Sequence, residues 1–457
     1  MMEESKLKQR QNRFVVVYAI SLFLAFSPFK ILSLITPIVT LLLFIFYVGG
    51  KSKYNFNELV LFCIFYALIG GFYNFINDDF LWLNFFLFFI TTSPFLFLLV
   101  TFKDMMDRNL LRRISDLTLN VLLVEALLGI TQVLYNALFI THGLDGGTGD
   151  AAMGTVNPVF TAGDGSGSNV YYAIGLSALF VLAISFRQYQ KQKINYFVLF
   201  AIALGWIIAS VMHSIFILLA SAMLNALIII FLMPRNKIAF LNKQIKTIRK
   251  IIGIVVLVII CLFWFMPNNV RLLNMYYGHT FNTKNPKSTK AIAAIATYNE
   301  LSEHKPYQKY VGVGPGQYCS KASLILSGTY LNSRIPESLK SVSPDLQTYI
   351  LPIWNNYKLR KWKAGSTYFP FCSWLTLYGE LGFAGCLLLL IALFLFTRNL
   401  LLKANKENLG LILGLMVTVF YLFLLGIQDN YWEWAQFVLP IVLFAKSVYY
   451  VVGKSTS

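Results

Sequence analysis

Two stretches of this chain, ILSLITPIVTLLLFIFYVGG (31–50) and IIGIVVLVIICLFWFMP (251–267), hold no charged residue over about the length a helix needs to cross a bilayer. Hydrocarbon offers no water to unpaired N–H and C=O groups. A continuous apolar run of that length therefore has one solution there, a helix that satisfies its own backbone. The remainder of the sequence repeats the pattern. Hydrophobic residues make up 57% and charged residues 13%, where a soluble domain holds about a quarter charged. The composition predicts an all-α, polytopic membrane protein.

Apolar runs predict about twelve transmembrane helices, near 14–28, 31–49, 57–74, 81–101, 117–138, 169–186, 195–210, 214–233, 251–266, 381–397, 409–427 and 437–452. Loop charge offers an independent check. Alternate connections carry KSK, KDMMDRNLLRR, RQYQKQK, PRNKIAFLNKQIKTIRK and RNLLLKANKEN. The opposite set carries SPFK, NFINDDF, an acidic Gly-rich segment at 141–168, and QDNYWEWAQ. Positive charge gathers on one side, so both termini are expected in the cytoplasm. The basic start, MMEESKLKQRQNR, leads into the first span without a small-residue cleavage site and reads as a retained tail. No repeat relates the two halves, unlike transporters built from inverted repeats.

The chain thus divides into nine spans (1–266), a large extracytoplasmic loop (267–368), and an entry helix with three further spans (369–457). The loop carries thirteen Lys/Arg against four Asp/Glu, a net charge of about +9. Long loops are exported whatever their charge. Two readings stay open: a basic surface resting on anionic headgroups, or an electropositive cleft that draws in an anionic substrate. Within the loop, STKAIAAIATYNELSEH reads as a helix ended by Pro306. SKASLILSGTYL and the stretch 345–362 read as amphipathic helices suited to the membrane interface. Between them, KYVGVGPGQY (309–318) spaces Gly312, Gly314 and Gly316 for a tight turn with positive φ.

Few residues offer chemistry. His213 sits at the outer junction of the seventh and eighth spans, facing either headgroups or a cavity. Glu380 enters the tenth span without a basic neighbour in sequence, and Glu125 lies deeper; an ionisable group at such depth is a functional candidate. Glu125 reads first as a packing or polar-network residue. Cys63, Cys261 and Cys386 fall in apolar spans, whereas Cys319 lies in the large loop and Cys372 beside it, so the two could pair if the loop faces an oxidising compartment. The sequence shows no catalytic triad, phosphate-binding nucleotide loop or metal motif, and its cytoplasmic loops are too short for a nucleotide-using domain. Neither cofactor nor nucleic acid is expected. Any substrate must arrive already activated.

The layout, with GVGPGQY following a loop helix and YGELGFAG at the next span, resembles the O-antigen polymerase and ligase family. Its members write similar GxGxGxF/Y and ExGxxG motifs. SVMHS (210–214) falls where that family often has Ser-Arg-Gly, and Asn169 where it often has an Asn opening the sixth span. The resemblance implies metal-independent glycosyl transfer at the outer face of a bacterial cytoplasmic membrane. The donor is a polyprenyl-pyrophosphate-linked oligosaccharide, and an acceptor sugar hydroxyl displaces the lipid pyrophosphate. On this reading Arg271, Lys290 and His213 are expected to hold the pyrophosphate. Glu380, which with His213 makes up the catalytic candidates, is expected to orient or deprotonate the acceptor. Gly312, Gly314 and Gly316 would give close backbone approach to the glycan, with Gln317 and Tyr318 touching sugar. A chain-length regulator protein and membrane lipid are implied partners. Two departures stand out. His213 replaces the arginine of the Ser-Arg-Gly motif. Phe371 occupies the place, nine residues before Glu380, where the ligases carry a His. The second departure favours polymerase over ligase and leaves the acceptor base unassigned. A transporter of the same lipid-linked glycans is the reading from a different class.

Overall fold

The computed structural model describes residues 2–49, 53–100, 105–142, 151–158, 168–193, 195–209, 212–233, 260, 288–329, 336–356 and 369–454. Every regular element among them is helical. The first eight helices are α1 (Met2–Ala25), α2 (Lys30–Gly49), α3 (Lys53–Ile76), α4 (Trp82–Thr91), α5 (Arg108–Tyr135), α6 (Ser168–Tyr189), α7 (Tyr196–Ala209) and α8 (Met212–Leu232). The polar segment contributes α9 (Thr289–Ile295) and α10 (Lys321–Leu326), and the chain closes with α11 (Ser373–Leu402), α12 (Leu409–Leu425) and α13 (Ala435–Lys454). The span expected at 251–266 lies outside the described residues, apart from residue 260.

Among the described residues, four helical stretches are long and apolar enough to cross a membrane: Arg108–Ile140, Tyr172–Tyr189, Ser373–Leu402 and Ala435–Gly453. They occupy different environments. In α13, 83% of the apolar window is buried, with Phe437, Leu439, Leu443 and Phe444 packed among α1, α6 and α12. In α11 only 17% is buried, and Leu388, Leu390, Ile391, Phe394 and Leu395 point outward. A row of large apolar side chains left uncovered is unfavourable in water and ordinary in lipid.

The fourth expected span, 81–101, is broken. Helix α4 stops after ten residues, and a 3-10 turn, Ser93–Leu98, follows with Pro94 at its start. Proline supplies no N–H to an α-helical ladder, so the chain changes hydrogen-bond pattern at that point. Carbonyls at the end of this turn meet a lysine from elsewhere in the chain. Lys446 Nζ of α13 donates to Phe97 O at 2.7 Å, to Leu98 O at 2.5 Å, and to Val100 O. The ammonium acts as a distant C-terminal cap.

In the polar segment, the expected helix at 288–304 forms as α9 continued through a π turn, Ala296–Leu301, to His304. Helix α10 departs from expectation. Lys321, Ala322, Ser323 and Leu324 are all buried against α4, so it is a core element rather than an interfacial one.

Helix α11 breaks its own geometry at Gly382, where φ is +61° and ψ −161°. An α-helix would pair Gly379 O and Glu380 O with amides four residues on. At the break they accept instead from Val313 N and Gly314 N, both at 3.0 Å. The two backbones touch: a Cβ on Gly382 would lie 2.5 Å from Tyr310 C and 2.6 Å from Gly312 N. Gly382→Ala therefore combines a disfavoured φ with a backbone clash. It is expected to lower stability by roughly 1–3 kcal/mol or more, read as a reduced thermal midpoint in detergent, with Gly71→Ala as the neutral control because nothing lies within 4 Å of that position.

Candidate functional site

The glycine turn is folded around the Glu380 carboxylate. Gly312, Gly314 and Gly316 all take positive φ, and the turn points successive amides inward. Glu380 Oε2 accepts from Gly316 N at 2.7 Å, while Oε1 accepts from Tyr318 N and Ser320 N, each at 3.1 Å. The carboxylate is 1% exposed. Taking a carboxylate out of water is costly unless donors replace its solvent, and three amides do so here. The α3–α4 hairpin grips the outside of the turn. Tyr73 OH donates to Val311 O, and Asn77 Nδ2 to Val313 O at 2.9 Å. Gly316 backs onto the Asn84 carbonyl, where an added Cβ would stand 2.3 Å from O.

This geometry corrects two expectations. Gln317 and Tyr318 do not present themselves to a sugar; both are fully buried. The Gln317 amide exchanges hydrogen bonds with Leu81 N and Leu81 O at 3.0 and 2.9 Å, and Tyr318 OH pairs with Thr297 Oγ1 at 2.7 Å. The three glycines likewise approach protein backbone and the Phe80 ring, rather than an open face. Glu380 is also ill suited to deprotonate an acceptor, because amide donors already occupy both of its oxygens. It is a positioning residue.

A second group of charges lies alongside. The connection between α12 and α13 runs from Gly426 to Trp434; Ile427 is exposed, but from Asp429 to Trp434 it is buried except at the half-buried Trp432. It carries Asp429 and Glu433. Glu433 Oε2 accepts from Lys321 N at 2.8 Å and from Thr91 Oγ1 at 3.4 Å. The Lys321 ammonium sits 3.9 Å from the centre of the Trp434 ring, within cation–π range. Asp429 O accepts from Ser373 N and Ser373 Oγ, which ties the connection to the first turn of α11. The Asp429 side chain accepts from Asn430 N at 2.7 Å and feels the charges of Lys290 and Lys321. Lys290, half-buried on α9, is the member of the group nearest solvent.

Burial dominates the protonation of this cluster. It pushes the Asp429 carboxyl up to about 6, against the opposing pull of Lys290, the Asn430 amide and Lys321. The same desolvation raises Glu433, with the neighbouring Glu380 adding to it, and lowers Lys321, which Glu433 and Asp429 partly restore. Lys290 is lowered by burial and supported by Asp429. Desolvation thus holds a carboxyl that titrates near 6 beside two ammonium groups in one enclosed cluster.

Of the residues expected to grip a pyrophosphate, Lys290 joins this cluster. Arg271 and the His213 side chain lie outside the described residues. Glu125 holds a backbone segment in place: its carboxylate accepts from Thr155 N at 2.8 Å and from Thr155 Oγ1. Cys319 and Cys372 are both free and buried, with Cys319 Sγ 3.3 Å from Thr376 Oγ1. The sequence does not single out Asp429 and Glu433, which fall in one short connection between apolar runs. Their signal was two acids spaced among tyrosine and tryptophans in a connection too short to leave the bundle.

Glu380→Gln keeps the side-chain volume and replaces an accepting oxygen with an NH2 group aimed at backbone N–H donors. The expected loss is roughly 1–3 kcal/mol, seen as faster proteolysis between residues 305 and 330 in the detergent-solubilised protein. Compared with known proteins, the chain matches no family model, no curated protein and no solved structure.

Proposed function

We propose that this protein is a polysaccharide repeat-unit polymerase of the bacterial cytoplasmic membrane, of the O-antigen or capsule type. In this reading the chain crosses the membrane about twelve times with both termini in the cytoplasm. The glycine turn and the charged cluster then lie at the outer face. The donor is a glycan on a polyprenyl pyrophosphate. An acceptor sugar hydroxyl attacks the anomeric carbon, the new C–O bond forms, and the bond from that carbon to the pyrophosphate oxygen breaks. The leaving pyrophosphate keeps the electron pair, and Asp429 takes the hydroxyl proton.

The observation that carries this reading is the grouping of Lys290 and Lys321 with Asp429, cations and a near-neutral carboxylate in one desolvated cluster. Lys290 and Lys321 would stabilise the negative charge that grows on the leaving group, a role the family resemblance also suggests for Arg271 and His213. Glu380 and its glycine turn hold Lys321 and α10 in register. The structural role of the Glu125 carboxylate removes the deepest acid from any transport path, which favours polymerase over a lipid-linked glycan transporter.

Purified protein in detergent should lengthen a polyprenyl-pyrophosphate-linked repeat unit with no membrane present; failure to do so would sink the polymerase reading. Lys290→Gln and Arg271→Ala should each cut long-chain product by roughly 100-fold or more, at unchanged protein accumulation. The rate should rise with pH through about 6 as Asp429 loses its proton. Asp429→Asn should be slow and should lack that acid limb. Its fold should persist, because Asp429 ties α11 through its main-chain carbonyl. In cells, loss of the gene should leave single unpolymerised units on the final carrier, whereas a ligase would leave lipid-linked polymer.

A further inference from the structure

The kink at Gly382 divides α11 into two parts of different character. Residues 373–381 are enclosed by the glycine turn and by the α12–α13 connection. From Phe383 one side of the helix is left uncovered, with Phe383, Leu388 and Phe394 at 59, 67 and 49% exposure, while Thr397, Leu400 and Leu401 near its far end pack into the bundle. The stretch 383–402 holds roughly 20 residues, about 30 Å at helical rise, which equals the thickness of a hydrocarbon core. The exposed Arg398 and the following Lys403 mark its far end.

At the near end, the polar segment presents an aromatic edge beside the kink. Tyr298 is 53% exposed and stacks on Tyr378 of α11, with ring centres 4.3 Å apart and planes 19° from parallel. Tyr310 is 69% exposed, and its backbone is the group that Gly382 touches. Residues 378 and 382 are one helical turn apart, so both tyrosines flank the point from which one apolar side of α11 is left uncovered. Lys309, also exposed, directly precedes Tyr310 in the chain. Tyrosines with apolar rings and polar tips, next to a lysine able to snorkel, match the composition of a headgroup layer.

We infer that this edge, Tyr298, Tyr310 and Tyr378 with Lys309, is an interfacial seat for phospholipid headgroups, and that Gly382 marks the level at which the protein passes from headgroup to hydrocarbon. Continuity with the lipid-length face of α11 identifies the occupant as bilayer lipid rather than a soluble partner. The assignment is independent of the polymerase reading. It sets the Glu380 knot within one helical turn of the phosphate layer.

The test is a depth measurement. Nitroxide labels are placed one at a time through Tyr298→Cys, Tyr310→Cys, Leu339→Cys and Leu388→Cys in full-length protein whose Cys63, Cys261 and Cys386 are serine. The protein is reconstituted in phosphatidylethanolamine–phosphatidylglycerol vesicles. Power saturation then compares access of oxygen with access of a water-soluble nickel chelate. Labels at 298 and 310 should give oxygen-to-nickel ratios several-fold above that at 339, an exposed position elsewhere on the segment, and below that at 388. Ratios at 298 and 310 equal to that at 339 would overturn the seat. Ratios as high as that at 388, or an aqueous signal at 388, would overturn the assigned depth.

Discussion

One buried carboxylate organises the junction between the bundle and its polar segment. Glu380 collects three amides from residues 316, 318 and 320, and its own carbonyl takes a fourth from Gly314. Each partner needs the other. Without the acid, the amides of an enclosed turn would be orphaned, at a cost comparable to a lost hydrogen bond for each group. Without the turn, an ionised carboxylate would be stranded away from water. The kink at Gly382 belongs to the same construction, because breaking the helix frees the carbonyls that hold the turn's first two amides.

That junction fixes where the charged cluster stands. Residues following the turn pass directly into α10, whose first amide lands on Glu433 and whose first side chain lies over Trp434. The α12–α13 connection is held from the other side by Ser373 of α11. Buried ion clusters of this kind contribute little net stability, since desolvation offsets most of the attraction between the charges. The proposed function gives such a cluster a use, with its most accessible cation, Lys290, on α9.

Much of the architecture was legible as apolar runs, because a helix in lipid leaves a continuous signature along the chain. Legibility failed where partners came from afar. The stop after ten residues of α4 is signalled by Pro94, yet the lysine that caps the following turn is 349 residues away. GVGPG was readable as a positive-φ turn. Nothing in its spacing told that the turn closes on a carboxylate instead of opening to a ligand, and so Gln317 and Tyr318 were misread as surface. Asp429 and Glu433 carry no such local signal, because short loops between spans usually lie in solvent, whereas this one meets α10 through Glu433 and Trp434.

By itself the sequence determined that the chain is helical and largely apolar, that its glycines at 312, 314 and 316 bend the backbone, and that a basic segment separates two sets of hydrophobic helices. Those properties depend on residues close together in the chain, through helix-forming backbone bonds and local sterics. Tertiary structure alone decided which carboxylates are consumed by backbone amides and which remain beside cations. That distinction depends on desolvation and on donors brought from distant segments, and neither is written in local order.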